Sequence, residues 1–168
     1  MKTKIVCVLM LISSSVLAQK EAEKTVIKPA AVVVAYGESI SLENAKKVSI
    51  ASEAFAVTNQ WTVAIAIVDT GGNLILLHKL DNTQVASIDI AIGKAKTANN
   101  FKRPTKVMAD AVANGGVGLR LLAVPNVFPL EGGEPIFSNG KIIGAIGVSG
   151  MTSTQDAEVV KAGLAVLK

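Results

Sequence analysis

Two short turns constrain the fold of this chain more than any other feature. Thr70-Gly71-Gly72-Asn73 separates an alternating run, residues 61–69, from an apolar run, residues 74–80. Ser138-Asn139-Gly140-Lys141 follows the segment Glu131-Gly132-Gly133-Glu134-Pro135-Ile136 and precedes a second apolar run, residues 142–148. Tight hairpin loops need backbone in the positive-φ region, which Gly and Asn adopt at little cost. Each turn therefore predicts a β-hairpin, and hairpins pair their strands antiparallel.

Helical spacing fills most of the remainder. Ser41 reads as an N-cap for a helix over residues 42–58, with Leu42, Ala45, Val48, Ser52 and Phe55 on one face. Residues 85–100 repeat the pattern through Val85, Ile88, Ile92 and Ala95, and Pro104 opens a short helix to about Ala113. Residues 115–118 read as loop and residues 119–124 as a short strand, after which Pro125 and Pro129 break the chain again. A last helix, residues 152–167, carries Ala157, Val160, Leu164 and Leu167 on one face, with Thr152 or Ser153 as its cap. Hairpins outnumber strand–helix–strand crossovers, so the predicted fold is a single α+β domain with an antiparallel sheet flanked by helices.

The first residues read as an address. Lys2 and Lys4 precede an apolar run, residues 5–12, then Ser13, Ser14, Ser15 and the peptidase-like Val16-Leu17-Ala18. That order is a secretory signal peptide, with cleavage expected after Ala18. An uncleaved anchor is the competing reading, but the run is short for a hydrocarbon core of about 30 Å. Residues 19–39 are then a tether or an extra strand, and residues 40–168 the domain. The mature protein is expected to be exported, either periplasmic or secreted, with no stable membrane insertion. Residues 30–36, between Pro29 and Gly37, suit either an added edge strand or a contact with a neighbouring subunit.

Cleavage would change the chemistry available. Cys7 is the single cysteine and leaves with the signal, excluding disulfides, thiolate nucleophiles and cysteine-bound metal from the mature domain. The net charge of +4 falls to +2 with the loss of Lys2 and Lys4. With 4% aromatic residues and no basic block interleaved with rings, nothing here suits nucleic acid. A single histidine excludes multi-histidine metal sites, and no Gly-x-Ser-x-Gly elbow, P-loop or dinucleotide fingerprint is present.

Four segments resemble one known family. Ile65-Ala66-Ile67-Val68-Asp69-Thr70-Gly71-Gly72-Asn73-Leu74 is similar to the first hairpin of the GlcG/HbpS family. The segment Ser87-Ile88-Asp89-Ile90-Ala91-Ile92-Gly93-Lys94-Ala95-Lys96-Thr97-Ala98 resembles its helix. Gly132-Gly133-Glu134-Pro135-Ile136 and Ile143-Gly144-Ala145-Ile146-Gly147-Val148-Ser149-Gly150 resemble its two C-terminal signatures. The resemblance spans residues 40–167. It implies a profilin-like α+β fold, assembly into homo-oligomers, and association with haem, because the family includes exported haem-binding proteins and the C-terminal domain of PduO-type proteins.

Candidate site residues follow from chemistry and from the resemblance together. His78, on the second strand with Leu74, Leu76 and Leu80, can ligate haem iron or serve as a hydrogen-bonded structural histidine. Lys94 and Thr97 share a helical stripe with Ile90 and Phe101 and can hold a propionate or another carboxylate, or else mark a helix or subunit contact. Gly93 beside them costs helix stability of about 1 kcal/mol, which signals a close approach by backbone or ligand. Gly132 and Gly133 can form an anion nest or shape a strand entry. Free N–H groups around residues 152–154 would favour a negative group. Met108, Met151 and Tyr36 are weaker candidate ligands. The leading expectation is an exported haem-binding protein that assists haem sequestration or breakdown. The alternatives are an enzyme acting on a small carboxylate through Lys94, and a non-catalytic oligomeric assembly protein.

Overall fold

The computed structural model describes residues 33–167. The signal segment, residues 19–32 of the tether and with them the first part of the 30–36 run lie outside the described residues. The elements are α1 (Leu42–Thr58), β1 (Ala64–Val68), β2 (Leu74–Lys79), α2 (Ser87–Phe101), α3 (Thr105–Ala113), a 3-10 helix (Gly116–Ala123), β3 (Gly133–Ser138), β4 (Lys141–Ser149), α4 (Ser153–Leu164) and a closing 3-10 turn (Ala165–Leu167). The four strands form one antiparallel sheet in the order β2-β1-β4-β3. Among the described residues no helix is long and apolar enough to cross a membrane.

Both turns form as their residues dictate. Asn139 and Gly140 take φ of 48° and 72°, the pair of positive values that a type I′ loop needs. In the first hairpin Gly72 takes φ of 78°, and Asp69 Oδ1 accepts the Asn73 N–H at 2.8 Å. The Ser41 hydroxyl caps α1 by accepting from Asn44 N, and Thr152 caps α4 in a reciprocal box with Gln155.

The sheet separates two cores of different texture. On one face Ile65, Ile67, Ile146 and Val148 pack against Val48 and Ala56 of α1 and Val159 and Val160 of α4. On the other, Ala64, Ala66, Val68 and Ala145 meet Ala91, Ala95 and Ala98 of α2. That second face is so close that a Cβ on Gly147 would strike the Ala91 carbonyl and the Ala95 nitrogen.

Two expectations differ from the structure. Residues 119–123 belong to the 3-10 helix rather than a strand, and Val124 ends it; the helix begins after positive-φ Gly115 and has no buried residue, so no sheet face takes it up. The inward face of α2 is Ser87, Ala91, Lys94, Ala95 and Ala98, whereas Val85 is exposed and Ile88 and Ile92 are only half-buried. Helix-to-sheet contact at this distance selects small side chains, and the apolar count therefore pointed to the wrong stripe. Within the described end of the 30–36 run, Tyr36 makes a single parallel bridge to Ile142.

Candidate functional site

His78 lies opposite Ile65 on β2, which places it on the α1 side of the sheet. A bulge at Ile75 pairs Leu74 with Val68 and Leu76 with Ile67, so Leu74 leaves the face that period-two counting assigned to it. From α1, the Glu53 carboxylate meets His78 Nδ1 at 2.8 Å. With Nδ1 engaged by a carboxylate, the imidazole is held in one orientation and Nε2 is the nitrogen left for a ligand. The His78 side chain is about one-third exposed, at 34%.

Beside this pair opens a cleft of about 450 Å³ between α1 and the end of β2, lined by Glu53, Val57, Trp61, Lys79 and Leu80 among others. Trp61 is steadied by Phe55, ring edge to ring face at 5.9 Å. The lining offers an indole, aliphatic surface, one ammonium and the carboxylates of Glu53 and Asp81, and it reaches His78 through Glu53; an imidazole beside such a surface is compatible with haem. Among the described residues no group of three or more His, Cys, Asp or Glu gathers to hold a bare metal ion.

The structure places the other candidates elsewhere. Lys94 is 1% exposed, and its ammonium donates to Asp156 Oδ2 at 2.7 Å and to the Val148 carbonyl at 2.8 Å. Asp156 Oδ1 in turn accepts from Met151 N at 3.0 Å. Burial pushes the Lys94 ammonium below its ordinary range, opposed by the Asp156 charge; burial likewise raises Asp156, opposed by Lys94. The negative group sought at the start of α4 is thus the chain's own Asp156.

Thr97 is equally buried, and its hydroxyl accepts the Phe128 N–H at 2.9 Å. The close approach signalled by Gly93 is the Phe128 ring, which occupies the space a Cβ would need. Gly133 N donates to Thr105 Oγ1 at 2.9 Å and the Gly132 carbonyl accepts from Val148 N at 2.8 Å. A Cβ on Gly132 would meet Lys94 Nζ at 3.0 Å, and one on Gly133 would meet the Lys94 carbonyl. Lys94, Gly132 and Gly133 therefore form one buried junction with Asp156, where α2 meets the end of β4 and the first turn of α4, distant in sequence from His78.

Two partners were missed at the level of sequence. Glu53 and Asp156 reach His78 and Lys94 across 25 and 62 residues, separations that no local pattern reports. Glu53 had no signal beyond being an acid on α1. Asp156 had one, its place in the first turn of α4.

A family model for haem-degrading HbpS-like proteins matches residues 40–165. The chain belongs to this HbpS-like family. It is 40% identical to protein GlcG of Escherichia coli K12 over 110 residues, covering 66% of this chain and 81% of GlcG. A double mutant of Streptomyces reticuli HbpS shares its fold with a TM-score of 0.72 at 31% identity, covering 84% of this chain and 99% of that one. A PduOC–haem complex superposes with a TM-score of 0.69 at 26% identity, covering 76% of this chain and 94% of that one.

Proposed function

We propose that this member of the family is an exported haem-binding protein, with His78 Nε2 as the iron ligand and the adjoining cleft as the seat of the porphyrin. The observation that carries the reading is the His78–Glu53 pair at 2.8 Å beside a partly apolar cleft. The family description and the haem complex of a relative support it. Glu53 orients the imidazole, Trp61, Val57 and Leu80 provide apolar surface, and Lys79 offers charge to a propionate. Bound haem supplies redox-active iron, so any breakdown would be chemistry of the cofactor while the protein holds it and limits its exposure. The profilin-like arrangement and removal of residues 1–18 belong to the same reading. It also includes self-association through the face where Val117, Leu119, Leu122 and Val124 are exposed, a stretch whose one charge is Arg120.

Titrating the protein with haemin and following the Soret band tests the central claim. A saturable band is expected, weakened at least tenfold in His78→Ala and less in Glu53→Gln. Absence of saturation, or an unchanged titration in His78→Ala, overturns it. An N-terminus at Gln19 in protein recovered from its host would support export.

A further inference from the structure

A second cleft lies on the other side of the sheet, along the outer face of α2. Its volume is about 460 Å³. The floor is the stripe Asp89, Ile92, Gly93, Lys96 and Asn100, spaced i, i+3, i+4, i+7 and i+11. One wall is the Gly71-Gly72-Asn73 turn and the other is Asn126 with Phe128.

The walls are built and anchored. Phe128 lies on the helix because Gly93 leaves room for its ring, and its N–H is fixed by the Thr97 hydroxyl. The opposite turn is tied to α2 by Asn99, whose amide donates to the Thr70 carbonyl at 3.0 Å and to Asn100 Oδ1 at 3.2 Å. That second bond turns the Asn100 carbonyl inward and leaves its NH₂ group for another acceptor. Lys96 enters none of the ion pairs among the described residues, unlike Lys94 two positions earlier. A cation, a free amide donor and a flat aromatic ring therefore converge on one open space.

We propose that this cleft binds a small aromatic monocarboxylate, its charge on Lys96 and Asn100 and its ring against Phe128 and Ile92. Asp89 defines the other end. It lies seven residues before Lys96, about 10 Å along the helix axis, a span that one ring with a polar group at each end can bridge. A hydroxyl there donates to Asp89, whereas a second carboxylate is repelled. The site uses neither His78 nor the α1 cleft, so it stands or falls independently of haem.

The probe is 4-hydroxybenzoate, added to the full chain and followed by amide chemical shifts. Saturable shifts are expected at Gly71, Gly72, Gly93 and Phe128, with affinity reduced about tenfold in Lys96→Met and unchanged in Lys79→Met and His78→Ala, as loss of one charge-assisted hydrogen bond implies. Terephthalate is expected to bind more weakly because of Asp89. No saturation at millimolar probe, unchanged affinity in Lys96→Met, or equal displacement by inorganic phosphate would each overturn the proposal; the last would reduce the cleft to a bare anion contact. Lys96 is exposed, so Lys96→Met keeps the fold and its result is readable.

Discussion

The two faces of the sheet solve the same packing problem in opposite ways. On the α2 face, alanines and glycines let helix backbone rest almost on strand backbone, and the Lys94 ammonium caught there is enclosed and paired with Asp156. On the α1/α4 face, Ile and Val hold the helices further off, and the polar groups near the margin, His78 and Glu53, keep an open side. The difference teaches where function can sit. A lysine in the tight layer becomes part of the frame, while a histidine at the edge of the looser layer retains a nitrogen for a ligand.

The comparison breaks most visibly at Asp156. Asp156→Ala leaves the Lys94 ammonium buried without its partner and is expected to cost about 3–5 kcal/mol in urea unfolding. Gly147→Ala puts a methyl against the α2 backbone, and a loss of about 1–3 kcal/mol is expected. Glu53→Ala removes a carboxylate partner on the open face, where both side chains reach solvent, so thermal unfolding should show a loss below about 1 kcal/mol. If Glu53→Ala destabilised as much as Asp156→Ala, the contrast between the faces would be lost.

The smallest effect concerns Glu134, half-buried on β3 opposite Ile146. Burial raises its pKa above the ordinary 4.5, Glu131 adds to this, and Lys161 opposes it. A carboxyl raised in the folded state favours folding while protonated, and that contribution is lost as pH rises from 4.5 through the folded value. Glu134→Gln should therefore melt slightly higher than the parent at pH 7, with the gain vanishing below pH 4.5. A constant gain across pH would mean that the carboxylate charge is not its origin.

Much of the fold was legible residue by residue. The helix expected over residues 42–58 is α1 with the same ends, and both hairpins close on the turns that their Gly and Asn residues announced. The candidate sites were less legible. His78 was visible as the single histidine, yet neither Glu53 nor the cleft beside it had a local signature. Lys94 and Thr97 were visible as a polar pair on a helix, but their direction was not. Hydrophobic counting turned α2 toward Val85, Ile88 and Ile92, and the tight layer instead took Ala91, Ala95 and Ala98 with Lys94 among them.

Turn chemistry, capping and helical period depend on neighbours a few residues apart, so the chain's own order settles them: an antiparallel sheet, four main helices and family membership follow from local residues. Which lysine is buried and which is free follows from the distance between α2 and the sheet. That distance is set by Gly147, Gly132 and Gly133 arriving from far along the chain, and it turns Lys94 toward Asp156 while leaving Lys96 at the rim of an open cleft.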